Sequence, residues 1–259
     1  MLGSGAWAET IRVSGTGTLM SAVRQITEAY RQHHPELQFQ FYYPPIGSSG
    51  AIKALTNGQL DLALTGRPLK TGEEESGLVQ EWLGRSPFLF VVHQKAAVRQ
   101  TTLDQMVEIY AGRQKAWPDG SRIRVILRPL ADADTALLAG LSPGMRQAIA
   151  TAHANRPPGA ALADTDIDLA DMVEKVQGGI GSVALALILA EKRPLKGLIM
   201  DGVEPTVAAL ERGAYPHAKP AYLVIRADAS PAVRAVVDFL RSEDGKSLLS
   251  RFGISTIRP

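Results

Sequence analysis

Between Ile11 and Leu69 the chain runs twice through the same cycle of strand, glycine- and hydroxyl-rich turn, and helix. The first pass is Ile11-Arg-Val-Ser-Gly-Thr-Gly-Thr18, followed by apolar residues at Leu19, Val23, Ile26 and Tyr30 with helical spacing. In the second, Leu37, Phe39 and Phe41 alternate like one face of a strand. They lead through Pro44-Pro-Ile-Gly-Ser-Ser-Gly50 into a helical face begun by Ile52 and Leu55. Such a turn presents unpaired backbone N–H groups at the positive end of a helix dipole, with Ser and Thr hydroxyls beside them. An oxyanion fits there without needing a lysine. Two such turns suggest capture of a small solute.

The alternation continues. Asn57-Gly58 makes a turn, and Leu60 to Thr65 reads as a short buried strand ending at Gly66-Arg-Pro-Leu69. Pro87-Phe-Leu-Phe-Val-Val92 is a continuous apolar strand of the kind covered on both faces. A helix follows on Leu103, Val107 and Tyr110, ending at Gly112, with others around Leu137, Leu138 and Leu141, and around Leu169, Val173 and Val176. Strands are expected at Ile123–Arg128, Gly178–Val183 and Tyr222–Ile225, with a closing helix on Val233, Val236, Val237 and Leu240. Strands alternating with helices throughout predict an α/β fold with mainly parallel sheets and flanking helices. Ligands of such sheets sit outside the carboxyl ends of the strands, where the hydroxyl-rich turns lie.

Several function classes drop out. A net charge of +2 with no Lys/Arg run gives no electrostatic case for nucleic acid. Cysteine is absent, which excludes disulfides, thiolate metal sites and cysteine nucleophiles. Gly15-Thr-Gly17 lacks the further glycine and lysine of a nucleotide loop, so no nucleotide cofactor is expected. Asp164, Asp166 and Asp168 alternate as in a calcium loop but lack its glycine and closing glutamate, and the five histidines have no metal-ligand spacing. No Ser-His-Asp order or nucleophile elbow occurs, so an enzyme is the weakest reading. The longest apolar run, Val183 to Ala190, falls far short of the ~20 residues of a membrane helix. Residues 1–8 read as a signal-peptide remnant, because Ala6-Trp7-Ala8 before Glu9 has the form of a signal-peptidase site; an unstructured leader is the alternative.

Six segments in order resemble the periplasmic phosphate-binding proteins of ABC importers, within the type II solute-binding fold. They are Ser14–Thr18, Ile46–Ile52, Asp61–Leu69, Ile109–Gly112 with Trp117, Gly178–Val183, and Phe239–Gly245 running on to Ile254. The resemblance implies two α/β lobes joined by two hinge crossings, near Phe88–Val92 and before Tyr222. Residues 9–90 and 201–259 would form lobe one and residues 91–200 lobe two. It also implies an extracytoplasmic monomer that delivers phosphate, or a similar tetrahedral oxyanion, to a membrane permease.

Carried over by position, Thr18 and Leu19 match the family's first ligand turn, with Thr16 beside them. Ser48 matches the serine of its second turn, flanked by Ser49 and Gly50, and Arg128 matches an arginine suited to bidentate capture from the second lobe. Arg67 stands beside a strand end and is a candidate for facing the cleft. Two positions depart from the family. Gly66 stands where many members have an acidic residue that accepts a hydrogen bond from protonated phosphate. Ala131-Asp-Ala-Asp-Thr135 replaces a Ser-Gly-Thr loop, which puts Asp132, Asp134 and Thr135 in the expected site. Those aspartates could cap a helix, accept a hydrogen bond from the protonated ligand, or pair with an ammonium group. The last option would make the solute an amino compound or zwitterion on the same fold.

Overall fold

A computed structural model describes residues 9–156 and 160–258; residues 1–8, where the signal-peptide remnant is expected, lie outside them. The repeated opening forms as expected, with β1 (Glu9–Gly15), α1 (Gly17–Arg31), β2 (Leu37–Phe41), α2 (Gly47–Thr56) and β3 (Leu62–Thr65), then the short α3 (Thr71–Glu74). β4 (Leu78–His93) comes next and is longer than the apolar run at its end. The middle of the chain supplies β5 (Gln100–Thr101), α4 (Leu103–Tyr110), β6 (Arg124–Leu127), α5 (Ala133–Gly140), α6 (Pro143–Ala154), β7 (Ala161–Leu162) and α7 (Asp166–Lys175). After these come β8 (Gly179–Ala184), α8 (Leu185–Glu191), β9 (Leu195–Gly197), β10 (Ile199–Met200) and α9 (Val207–Glu211). β11 (Ala218–Arg226), α10 (Pro231–Arg241) and α11 (Glu243–Arg251) close the chain.

Among the described residues one large sheet runs β2-β1-β3-β11-β4-β8-β6-β7, with β9 added to β4. Its outer strands are parallel: β2, β1 and β3 on one side, β8, β6 and β7 on the other. The long strand β4 belongs to both halves. Its first part, Leu78 to Pro87, pairs antiparallel with β11, and Phe88 to Val92 pairs with β8. β4 therefore passes from one half to the other at Pro87, and β11 leaves from beside the same point.

Each half has its own core. Ile11, Val13, Leu64, Leu223 and Val236 pack with the buried face of α1 in the first half. Phe88, Phe90, Met106, Val125 and Met145 pack in the second. Ala186 and Ala190 of α8 reach back into the first core, while Ala209 and Tyr215 belong to the second cluster, so the chain rejoins the sheet of the first half only at β11. The carboxyl ends of β1 and β6, which carry the expected turns, face each other across the gap between the halves, and their turns line one cavity.

Candidate functional site

β1 ends at Gly15, and α1 starts two residues later with no acidic residue in its first turn. The helix N-terminus is thus left without a local counter-charge, and a carboxylate from the other half supplies one. The Thr18 amide donates to Asp166 Oδ2 at 2.9 Å, and the Thr18 hydroxyl donates to the same oxygen at 2.6 Å. Thr16, at the N-cap, makes no capping bond; its hydroxyl is buried without a hydrogen-bond partner and lines the cleft. On α2, the Ser48 hydroxyl accepts from the Gly66 amide at 3.0 Å and satisfies a buried donor at the end of β3.

The opposite wall comes from the ends of β6 and β7. Arg128 follows β6 and is 8% exposed. Its guanidinium donates to the Ala163 carbonyl at 3.1 Å and to Asp132 Oδ2 at 2.7 Å. Asp132 also caps α5, its other oxygen accepting from the Asp134 amide at 2.9 Å. The Thr135 hydroxyl donates to the Pro129 carbonyl at 2.8 Å, fixing the turn behind Arg128. Asp166 opens α7, behind a capping box made by Thr165 and Asp168.

Lys219, on β11 where the two halves meet, ties the walls together. Its ammonium lies 2.7 Å from one oxygen of Asp134 and 3.2 Å from Asp166 Oδ2. Gly66 makes room for it, since a Cβ there would stand 2.9 Å from Lys219 Cε. Burial opposes the charge of Lys219, but Asp134 and Asp166 outweigh it and push the ammonium's pKa up. Burial would likewise raise the pKa of Asp166. Lys219 and the two Thr18 donors overcome that and hold the carboxyl well below the usual range. Asp134 goes the other way: burial pushes it up despite Lys219, helped by the neighbouring Asp132 and Asp166 charges. Each carboxylate here is neutralised by a cation or by several donors, as buried charges require.

These groups surround a cavity of about 360 Å³. A larger groove of about 450 Å³ beside Trp117 and Lys175 lies on the second half, away from the turns and their buried charges. Of the expected residues, Thr16, Ser48, Arg128, Asp132 and Asp134 line the cleft cavity, and Thr18 reaches it through Asp166. Leu19 is buried in the core of the first half. Ser49 is bound by Arg67 at 3.0 Å, and Gly50 lies on the same helix. Arg67 itself is paired with Glu73 through contacts of 2.7 and 2.8 Å, and Thr135 stands behind Arg128. Arg67 draws the Glu73 carboxyl down to about 2.

Sequence reasoning missed Lys219 and Asp166. His217-Ala-Lys-Pro220 looks like a polar approach to a strand, and an aspartate at the start of a helix is ordinary. The one available signal was Gly66. A missing side chain at the end of a strand leaves room for something to enter from elsewhere.

A sequence model described as a PBP superfamily domain matches residues 3–244. A Bacillus subtilis protein named phosphate-binding protein PstS is 20% identical over 91% of this chain and 76% of its own. A Clostridium perfringens structure described as a putative phosphate ABC transporter substrate-binding protein with bound phosphate superposes with a TM-score of 0.81. It is 18% identical and covers 96% of this chain and 100% of its own. A Vibrio cholerae ABC-type phosphate transport receptor gives 0.64 at 22% identity, covering 97% of this chain and 100% of its own.

Proposed function

Because the chain belongs to the PBP superfamily, we propose that it is an extracytoplasmic solute-binding protein that captures phosphate, or a similar tetrahedral oxyanion, for an ABC importer. The observation that carries this reading is the grip on Asp166. The Thr18 amide, the Thr18 hydroxyl and the Lys219 ammonium converge on one carboxylate oxygen inside the cleft. Donors arranged to hold that oxygen suit the oxygen of a solute equally well. The unpartnered Thr16 hydroxyl and the braced Arg128 guanidinium add donors from both walls. The relatives named phosphate-binding and phosphate-transport proteins support the same class.

The ligand-contacting set in this reading is Thr16, Thr18, Ser48, Arg128, Asp134 and Lys219, with Asp132 holding Arg128 in place. The lobes would close about Pro87 and the start of β11, and the closed form would dock on a membrane permease as a monomer. Among the described residues no helix is long and apolar enough to cross a membrane. The cleft hydroxyls of Ser48 and Thr18 are bonded to a backbone amide and a carboxylate, an arrangement suited to holding a solute. The alternative of an amino compound has less support. Asp132 is already committed to Arg128, and Asp134 to Lys219.

A thermal-shift and calorimetric screen tests the class, using phosphate, sulfate, molybdate, phosphonates and amino acids. Phosphate far above its Kd should raise stability by several kcal/mol, about 4 at a thousandfold excess. Stabilisation by amino acids and by no oxyanion would overturn the reading.

A further inference from the structure

Asp166 does more than complete a salt bridge. It comes from the second half of the molecule, 148 residues along the chain from Thr18, yet one of its oxygens receives both Thr18 donors and the Lys219 ammonium. An oxygen of a bound oxyanion would need those same three donors. We propose that Asp166 is a tethered competitor, a carboxylate of the chain itself that occupies the oxyanion seat until solute displaces it. This rests on the reading of the cleft as an oxyanion site.

The chain is shaped to admit this carboxylate. A Cβ on Gly17 would stand 2.3 Å from Asp166 Oδ1 and 2.6 Å from Ile167 Cγ1. The first residue of α1 therefore has to be glycine for α7 to come this close. The contact is also electrostatically self-consistent: it supplies the anion that α1 lacks in its first turn and shares Lys219 with Asp134. Exchange with solute replaces one anion by another. As the solute oxygen enters, Thr18 and Lys219 change partner and Asp166 swings out toward solvent. The number of negative groups held by these donors stays the same. Entry without that displacement would set two anions against one seat, and like charges at this spacing repel.

An occupied seat lowers apparent affinity by the fraction of molecules in which it is open. Calorimetric titration of phosphate into wild type, Asp166→Asn and Gly17→Ala, in a phosphate-free buffer, provides the test. Asp166→Asn keeps the size of the side chain and removes its charge. Gly17→Ala leaves every ligand donor and the aspartate in place and wedges the two apart. The expected result is a Kd about tenfold lower in both variants, as follows if the seat is open in about a tenth of wild-type molecules. Unchanged affinity in the variants would make Asp166 a structural brace, and weaker affinity would make it a ligand contact; either result overturns the proposal. Absence of oxyanion binding by all three proteins would instead overturn the function on which it stands.

Discussion

Lys219 Nζ lies 2.7 Å from Asp134, and the two side chains keep only 4% and 2% of their exposure. One residue comes from the central strand β11 and the other from the first turn of α5, so the pair bridges the two walls of the cleft. A buried ion pair of this kind contributes little relative to a well-packed apolar pair, because desolvation offsets the attraction. Breaking it from one side is costly.

Lys219→Met should therefore destabilise the fold by about 3–5 kcal/mol, since Asp134 and Asp166 would be left buried without their cation. Urea unfolding at neutral pH measures this. A loss below about 1 kcal/mol would mean that water reaches the cluster and the network is far weaker than its geometry.

Ser48→Ala removes a cleft hydroxyl and the acceptor of the Gly66 amide. The expected loss of phosphate affinity is about 1–3 kcal/mol, the range for leaving a buried polar group unpaired. Calorimetry giving wild-type affinity would place Ser48 outside the ligand's contacts.

Arg128→Lys keeps the charge and loses the planar fork that spans the Ala163 carbonyl and Asp132. A lysine cannot make both contacts and still face the solute. Phosphate binding should weaken at least tenfold, about 1.4 kcal/mol or more. Equal affinity would show that charge alone is read at this position.

Asp134 and Asp132 should differ in their effect on selectivity. Asp134 is ion-paired with the Lys219 ammonium at the cleft, whereas Asp132 is occupied with capping and with Arg128. An ionised carboxylate accepts but cannot donate, so it favours phosphate, which retains a proton near neutral pH, over sulfate. Asp134→Asn should shift the phosphate-to-sulfate ratio toward sulfate, by up to about 10⁴-fold if the group is fully buried in the complex. Asp132→Asn, which can still cap, should weaken both anions with little change in ratio. Competition titrations separate the two cases.

Glu73 gives the acid limb a readable signature. Arg67 lowers its pKa from 4.5 to about 2 in the folded state. The unfolded chain binds the proton first as pH falls. The stability from this pair is thus fully present above pH 4.5 and is lost as pH drops toward 2. The stability gap between wild type and Glu73→Gln should close over that window. A gap that stays constant across it would mean that the pair is broken in solution.

The sequence shows its local features well and its long-range charges poorly. The turns carrying Thr18 and Ser48 and the α/β alternation follow from short spacings, and short spacings set local backbone geometry; Arg128 is picked out only by the family resemblance. Lys219 and Asp166 do not show in this way. Their roles come from partners 85 and 148 residues away, brought together by the antiparallel insertion of β11 beside β4. Hydrophobic alternation marks β11 only from Tyr222, so the polar beginning of the strand, where the lysine sits, reads as a loop. Arg67 illustrates the reverse case. It stands next to the cleft in sequence, but Glu73, six residues on, takes both arms of its guanidinium.

Ser86 and Lys219 are register partners on β4 and β11, so everything between them leaves and re-enters the first half at adjacent points of one ladder. In terms of gene architecture, residues 87–218 are a guest inserted into a host hairpin. A two-residue Asn-Gly turn of the kind that joins antiparallel strands would span the same gap. The host keeps β2, β1, β3, β11 and the first part of β4 in one sheet, with residues of α10 and α11 in its core. The guest is thus joined to the host at a single pair of neighbouring junctions, and it stays anchored there through α8, whose Ala186 and Ala190 pack into the host core.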